Sequence, residues 1–363
     1  MKFRCERDVL VEALGTSSRA VSGRGGLPGL SGVRAELVGD QLELTGSDLD
    51  LTIKVKVTVS GESDGVAVIP ARLASDIVRA LEPGAVSLSA EGDELSIAAG
   101  RSDFSIRLIA GDDFPQIAGL PEESVSLPAA ELTEALKQVV PAASGDDSRP
   151  ILTGVLLAAE AGGLRLVATD SYRLSMRDLP GTSILAEGQS VLIPSRALNE
   201  LNRILGGGDD VALKLGEREA SFEVGPVQLI TRLIEGDFPN YRGLIPDSHP
   251  NVLTLQRSEL LDALRRVKLL AREATPVRLE MSSEGLELVA VTQDVGTARE
   301  QIEGSYDGTP LTVAFNPQYL LEGAEVAASD EITLSTIDEL KPALVRMKGV
   351  EEFLYLLMPV RVS

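Results

Sequence analysis

Apolar and polar positions follow a helical period in three stretches of the chain that read alike. Each has the pattern Leu-x-acid-Ala-Leu, in which two leucines and an alanine fall at positions i, i+3 and i+4 and so share one face of an α-helix. The copies span residues 10–14, 132–136 and 260–264. Three similar helices at near-equal spacing indicate an internal repeat, provided that their surroundings repeat as well.

The surroundings do repeat, because the same landmarks follow each helix in the same order. A strand pattern ends in a polar turn that is usually acidic, and a second helix then opens at a proline, which suits a first helical turn. Copies 1 and 2 both close on Arg-Leu-Ile and Phe-Pro. These landmarks occupy residues 42–48, 164–170 and 286–292 for the strand, Ile69-Pro70, Ile193-Pro194 and the looser Phe315-Asn316-Pro317 for the second helix, and 107–115 and 232–239 for the closure. We therefore predict three tandem copies of one domain.

Each copy has the composition of a mixed domain in which helices cover a sheet. Between the helices, residues alternate apolar and polar, as antiparallel half-buried strands do. The pattern predicts two helices and roughly seven or eight strands per copy, an α+β class in which the apolar helix stripes pack on one sheet face. Those stripes include Leu73, Ile77 and Leu81 in copy 1 and Leu198, Leu201 and Leu205 in copy 2. We place the three domains at residues 1–120, 126–246 and 252–363.

Composition is that of an ordinary water-soluble protein. Of the 363 residues, 44% are hydrophobic, and no apolar run approaches the roughly 20 residues of a membrane span. The first residues carry charges where a signal peptide needs an apolar segment, so we expect a cytoplasmic protein. Cys5 is the only cysteine, which excludes an intrachain disulfide and a cysteine-based zinc site.

The net charge of −21 argues, taken alone, against a nucleic-acid partner, because phosphate binding normally uses clustered lysine and arginine. Net charge is a sum, however, and an acidic protein can carry cations on one face. Arg24 illustrates the choice, since its glycine-rich loop is read either as a solvated turn or as a phosphate contact.

The sequence contains few groups that could perform catalysis. His249 is the only histidine and lies in a proline-rich connector with no nucleophile predicted beside it. Asp48 and Asp112 recur as Asp170 and Asp237 in copy 2, which favours turn-forming aspartates over a metal or acid–base site. The glycines that precede Asp210 lack the lysine of a phosphate-binding loop. We therefore expect a protein that is not an enzyme and uses no metal or cofactor.

The end of the chain is unusually apolar. We expect residues 353–357 to form a strand that ends at Met358-Pro359, because proline interrupts strand pairing. The segment that follows can pack on its own domain or line a groove for a partner peptide, and methionine is an adaptable contact residue in such a groove. Three tandem copies can also close into a ring if the end of one chain fits the start of a second.

These features together resemble the bacterial sliding clamp family, the β subunit of the replicative DNA polymerase, over the whole chain. No single motif is specific, but their order over three repeats is. The motifs are Met1-Lys2-Phe3, Ile69-Pro70-Ala71-Arg72, Gly100-Arg101-Ser102 with Phe104, the two Phe-Pro closures, Ala168-Thr169-Asp170 with Arg173-Leu174, Phe315-Asn316-Pro317, and Met358-Pro359-Val360-Arg361.

The resemblance implies a non-catalytic processivity factor: a head-to-tail homodimeric ring around double-stranded DNA, with helices lining the hole. Few cations suffice for a ring that topology holds on DNA, and tight phosphate contacts would impede sliding. Candidate DNA-facing cations are Arg24 in its loop and, on predicted helices, Arg7, Arg19, Arg72, Arg79, Lys137, Arg196, Arg203, Arg265, Arg266 and Lys268.

The resemblance also implies a groove that receives short apolar motifs of the polymerase catalytic subunit, the clamp loader and repair proteins. Leu152 and Leu174 would form its floor, and Arg173 and Arg361 its rim. Tyr172 stands where many members carry histidine, and Ser171 where many carry glycine. The implied groove residues are Leu152, Thr169, Tyr172, Arg173, Leu174, Pro246, Val252, Asn316, Tyr319, Met358, Pro359, Val360 and Arg361.

For the dimer seam, the resemblance implies an apolar centre with ion pairs at its rim. It would join Ile77, Arg101, Phe104 and Ile106 of one chain to Leu269, Leu270, Glu300 and Glu303 of the other. Two other function classes compete with this one. A triplicated protein-binding scaffold without DNA function is the main alternative, although the signal peptide and disulfides of such proteins are missing. An enzyme would need acidic residues unique to one copy.

Overall fold

The computed structural model describes residues 1–21, 27–111, 114, 123–160, 162–206, 210–246, 248–271 and 275–361. Each repeat contributes two α-helices within these ranges. They are α1 (Arg7–Ser17), α2 (Ala71–Ala80), α3 (Ala129–Val139), α4 (Ser195–Ile204), α5 (Arg257–Lys268) and α6 (Pro317–Glu325). The mixed α+β class is confirmed.

The repeated Leu-x-acid-Ala-Leu motif forms the buried face of the first helix in each repeat. Its leucines and alanine are buried in α1, α3 and α5, as predicted. In α6, the side chain of Asn316 caps the helix by accepting hydrogen bonds from the backbone N–H of Gln318 at 2.9 Å and of Tyr319 at 3.3 Å. The loosest copy of the second helix is therefore a helix with its own N-cap.

One predicted helix face differs from the structure. In α2 the buried residues are Ala71, Ala74, Ser75 and Val78, whereas Leu73 is half exposed and Ile77 is only partly buried. Small side chains at the buried positions let α2 lie close to α1 and to the sheet, which leaves its larger apolar residues outside. In α4 the prediction is confirmed, with Leu198, Leu201 and Leu205 buried.

The strands number nine, eight and nine in the described parts of the three repeats. Repeat 1 has β1 (Lys2–Glu6), β2 (Gly32–Val38), β3 (Gln41–Ser47), β4 (Leu51–Thr58), β5 (Ser60–Ser63), β6 (Gly65–Pro70), β7 (Ala85–Glu91), β8 (Glu94–Ala99) and β9 (Ser102–Arg107). Repeat 2 has β10 (Val125–Leu127), β11 (Gly154–Glu160), β12 (Gly163–Thr169), β13 (Arg173–Pro180), β14 (Ser190–Pro194), β15 (Val211–Leu215), β16 (Glu219–Val224) and β17 (Val227–Arg232). Repeat 3 has β18 (Asn251–Gln256), β19 (Val277–Ser282), β20 (Gly285–Thr292), β21 (Gly296–Ile302), β22 (Gly304–Asp307), β23 (Leu311–Phe315), β24 (Glu331–Thr336), β25 (Ala343–Met347) and β26 (Val350–Leu357).

Two of the four sheets cross the predicted repeat boundaries. An eight-stranded sheet has the order β10-β15-β16-β17-β4-β3-β2-β6, and a nine-stranded sheet the order β14-β11-β12-β13-β26-β25-β24-β18-β22. The two smaller sheets are β5-β1-β7-β8-β9 and β21-β20-β19-β23. As a result the chain forms two compact units, residues 1–130 with 196–233 and residues 131–195 with 234–363, each containing part of repeat 2. The exact domain boundaries given above stay a prediction.

In the second compact unit, the nine-stranded sheet is covered on both faces. On one face Phe353 and Tyr355 of β26 share a core with α5 and α6. On the other face Leu354 and Leu356 pack with Tyr241 and other residues of the connector 234–245. This two-sided burial explains why the end of the chain is a continuous apolar run instead of an alternating one.

Candidate functional site

The residues of the predicted partner groove all belong to the second compact unit, and several of them lie at the end of β13 and β26. β13 and β26 pair antiparallel, with Arg173 opposite Leu357 and Leu174 opposite Leu356. Leu152, Thr169 and Leu174 are buried, whereas Tyr172 and Val360 are exposed. Pro246, Val252, Asn316, Tyr319, Met358 and Pro359 are partly exposed. The predicted groove residues thus include buried apolar side chains and exposed apolar ones, and their role in binding a peptide stays a prediction.

The turn before β13 sets the position of Tyr172. Asp170 accepts hydrogen bonds on Oδ1 from the backbone N–H groups of Tyr172 at 2.9 Å and Arg173 at 3.0 Å. Ser171 has a φ of 81°, in the left-handed region that glycine adopts without strain, so glycine fits this position well. Asp48 builds the same turn in repeat 1, with Leu49 also at a φ of 81°. The interpretation of these two aspartates as turn residues is confirmed, while Asp112 lies outside the described residues.

Arg173 is buried, with only 8% of the residue exposed, so the prediction that it forms the groove rim is wrong. Its guanidinium donates to Asp170 Oδ2 at 3.0 Å and to the carbonyl oxygen of Pro141 at 2.6 Å, and it also contacts Glu322. Burial alone would lower the pKa of Arg173, but Tyr355 and Glu322 raise it above its usual value, which keeps the side chain charged. Arg173 thus lies beneath the groove, where it joins repeat 2 to repeat 3.

An aromatic layer covers this charged centre. Arg173 lies 4.4 Å from the centroid of the Tyr319 ring, and Tyr172 stacks on Tyr319 with centroids 6.4 Å apart. Burial raises the pKa of Tyr355, so its hydroxyl stays protonated and donates to the carbonyl oxygen of Tyr319 at 2.9 Å. Gly323 leaves room for the Tyr355 ring, because a Cβ there would lie 2.5 Å from a ring carbon. Tyr172 consequently has a fixed position although 59% of it is exposed.

The segment after β26 closes one side of the groove. The N–H of Met358 donates to the carbonyl oxygen of Tyr172 at 2.9 Å, and the N–H of Val360 donates to that of Ala314 at 2.7 Å. Met358 also packs against the apolar cluster that contains Leu174. The predicted departure of the chain from the sheet after Leu357 is confirmed, and Arg361 is exposed at the end of this segment.

The candidate DNA-facing cations lie on five different α-helices, except for Arg19 and for Arg24, which is outside the described residues. Arg19 follows α1 in a 3₁₀ turn and Lys268 ends α5; the others are Arg7 in α1, Arg72 and Arg79 in α2, Lys137 in α3, Arg196 and Arg203 in α4, and Arg265 and Arg266 in α5. Most have an acidic neighbour within the chain. Arg72 and Lys137 are exposed and form no ion pair with any residue that the structure describes. These two are therefore the cations most available to phosphate.

The predicted seam residues occupy two surfaces, one in each unit. On the first, Phe104 in the edge strand β9 is 40% exposed, Ile77 and Ile106 are partly buried, and Arg101 is exposed. On the second, Leu269 is 84% exposed just after α5, beside the partly buried Leu270. Arg266 binds both carboxylate oxygens of Glu300, at 2.8 and 2.9 Å, and this contact lowers the pKa of Glu300, while Glu303 stays exposed. Sequence reasoning missed the half-exposed Leu73, which shares the outer face of α2 with Ile77.

His249 is partly buried, and burial, followed by the nearby Arg346, lowers its pKa. The Nε2 atom of His249 has no hydrogen-bond partner among the residues that the structure describes. No group of three potential metal ligands was found in the described ranges. None of the helices that the structure describes is long and apolar enough to cross a membrane.

Comparison with known proteins identifies the family. Three family models match in chain order: the N-terminal domain of the DNA polymerase III beta subunit at residues 1–118, its central domain at 126–240 and its C-terminal domain at 242–361. The beta sliding clamp of Streptomyces coelicolor is 33% identical over 100% of both chains, and that of Staphylococcus aureus is 30% identical over 99% of each.

Solved structures agree with this result. A sliding clamp from Bartonella birtlesii, bound to griselimycin, has a TM-score of 0.94 and 32% identity over 100% of both chains. The sliding clamp of Bacillus subtilis has a TM-score of 0.94 and 30% identity, again over 100% of both chains. The chain therefore belongs to the DNA polymerase III beta subunit family, the sliding clamps that serve as processivity factors in DNA replication.

Proposed function

We propose that two copies of this chain close head to tail into a ring around duplex DNA, and that the ring tethers the polymerase catalytic subunit, the clamp loader and repair proteins through the partner groove. The ring itself catalyses no reaction in this proposal, and it works in the cytoplasm. The observation that carries it is a pair of edge strands, β9 and β21. In the part of the chain that the structure describes, each lacks a strand neighbour that the equivalent strands of the other repeats have.

The equivalence follows from how the repeats join. The last strand of repeat 2, β17, pairs with β4 of repeat 1. The last strand of repeat 3, β26, likewise pairs with β13 of repeat 2. By the same rule β9, the last strand of repeat 1, should pair with β21, the strand of repeat 3 that corresponds to β4 and β13. Within the described residues both strands lie at the edges of their sheets. Unpaired edges of this kind favour addition of a strand from another chain, and a second copy supplies it twice.

The repeat also predicts the register of this pairing. Ile230 lies opposite Thr52 within the chain, and their counterparts by repeat alignment are Ser105 and Thr297. When Ser105 lies opposite Thr297, Phe104 lies opposite Ala298. The residue pair at the corresponding position of the β17–β4 pairing is fully buried between sheet and helices. It also places Asp103 opposite Arg299, so that opposite charges meet across the strands. The exposed Phe104 therefore occupies a core position of the closed ring.

The groove supports the tethering role, because it combines a hydrogen-bonded wall with accessible apolar groups. We expect Tyr172→Ala with Met358→Ala to weaken a fluorescein-labelled peptide from the C-terminus of the organism's replicative polymerase at least tenfold, since both side chains would bury apolar surface against it. Fluorescence anisotropy gives the Kd, and griselimycin provides a second probe of the same variant.

The matched control is Val38→Ala with Val66→Ala, two exposed apolar residues on strands of the other compact unit. This control should bind the peptide as the unchanged chain does. Equal peptide affinity in the groove variant, with the dimer intact, would contradict the groove assignment.

The binding of duplex DNA by the ring should depend on cations of the helices. We expect Arg72→Gln with Lys137→Gln to reduce the salt dependence of binding to a short duplex, by about 0.9 in the slope of log K against log salt for each phosphate that the variant no longer neutralises. The control is Lys56→Gln with Lys341→Gln, which removes the same charge from a strand and a loop. If both variants change the slope equally, net charge is responsible and these helix residues do not face DNA.

A further inference from the structure

A cavity lies beside the C-terminal segment, and most of its lining residues have no role in the predicted functions. This cavity, here the tail cavity, has a volume of about 490 Å³ and is lined by Arg278, Thr312, Glu339, Leu340, Val360 and Arg361. Val360 and Arg361 belong to the predicted groove as well, so the cavity lies next to it. The hydrogen bond from Val360 to Ala314, which also lines the cavity, fixes the segment that separates them.

The chemistry of the tail cavity is cationic in a strongly acidic protein. Arg278 points away from the core on β19, directly across from Ala314 on β23. Among the described residues, neither Arg278 nor Arg361 has an ion-pair or hydrogen-bond partner, and Glu339 is the one carboxylate in the lining. Leu340, which is 56% exposed, and Val360 supply apolar surface at the entrance.

We propose that the tail cavity binds an acidic side chain of the partner peptide, located beside its apolar motif, between Arg278 and Arg361. Two guanidinium groups that have no partner among the described residues can form charge-assisted hydrogen bonds with a carboxylate, and Leu340 and Val360 cover the aliphatic part of the residue. Partners with an acidic flank would then bind more tightly than partners whose apolar motif is the same but whose flank is neutral. This inference rests on the proposed function of the groove.

The test uses the polymerase-tail peptide, amidated at its C-terminus so that no terminal carboxylate competes. Two glutamates are added before or after the apolar motif, and each peptide is compared with its two-glutamine counterpart by anisotropy at low and high salt. We expect one of the two glutamate peptides to bind about five- to tenfold more tightly than its counterpart at low salt. The preference should fall below about twofold in Arg278→Gln and should increase in Glu339→Gln.

The outcomes separate this inference from the function on which it depends. Arg278→Gln should leave the unextended peptide unaffected, because Arg278 lies outside the groove, and Lys348→Gln, an exposed cation elsewhere in repeat 3, should leave the preference intact. Equal binding of glutamate and glutamine peptides, or a preference that persists in Arg278→Gln, overturns the acidic site while the groove stands. The groove assignment itself is overturned if the unextended peptide does not bind, or if Tyr172→Ala with Met358→Ala leaves its affinity unchanged.

Discussion

Leu269→Asp with Leu270→Asp is expected to convert the dimer into monomers of about 38.4 kDa. Leu269 is the most exposed large apolar side chain that the structure describes, which indicates a surface that becomes buried in an assembly. The two carboxylates introduced there, one of them at the half-buried position 270, together cost about 3 kcal/mol at each seam. Because a head-to-tail ring has two seams, the dissociation constant should rise on the order of 10,000-fold. Light scattering after size exclusion measures the change.

Phe104→Asp tests the opposite surface and should also give monomers. Mixing the two monomeric variants distinguishes the ways in which two chains can pair. In a head-to-tail ring, the intact β9 edge of one variant meets the intact β21 edge of the other, so the mixture regains one native seam and forms a dimer. A surviving dimer of either variant alone, or a mixture that stays monomeric, would mean that the seam is placed wrongly. Val38→Asp, on an exposed strand position away from both edges, is the control.

The parts of the fold that could be predicted from the sequence are those that depend on short spacings. The Leu-x-acid-Ala-Leu motif predicts its own buried face, because residues three and four apart meet on a helix. The turn at Asp170 is equally local, since its carboxylate bonds the N–H groups two and three residues ahead. The end of β26 at Met358-Pro359 follows from the missing N–H of proline.

The rest depends on contacts between distant residues, which a single sequence does not contain. Nothing near Arg173 indicates that it is buried, because its partner Glu322 lies 149 positions away and belongs to another repeat. The burial of Leu354 and Leu356 likewise needs the connector around Tyr241. The prediction for the α2 face is wrong because a hydrophobic pattern does not contain the side-chain size that the close contact with α1 requires, and Ala74 is buried there in place of Leu73.

The same buried arginine gives the second large effect that we predict. Arg173→Ala should lower the free energy of unfolding by about 3–5 kcal/mol, because it leaves the carboxylates of Asp170 and Glu322 without their shared cation. For a unit of this size the melting temperature should fall by roughly 10 °C. The change also removes the support of Tyr319 and of the turn that holds Tyr172, so the polymerase-tail peptide should bind more weakly. Differential scanning calorimetry and anisotropy measure the two losses.

Arg149→Ala is the matched control. Arg149 pairs with Asp146 at 3.1 Å and also reaches the Ser171 hydroxyl at 3.3 Å, but it is exposed, so its removal should cost no more than about 1 kcal/mol. Arg173→Lys separates the effect of charge from that of geometry, because a lysine keeps the charge yet cannot bond Asp170, Glu322 and Pro141 at once. The stability of this variant should lie between those of Arg173→Ala and Arg149→Ala. An Arg173→Ala variant as stable as Arg149→Ala would show that the buried charges find water or other partners. In that case Arg173 would not be the residue that joins the two repeats beneath the groove.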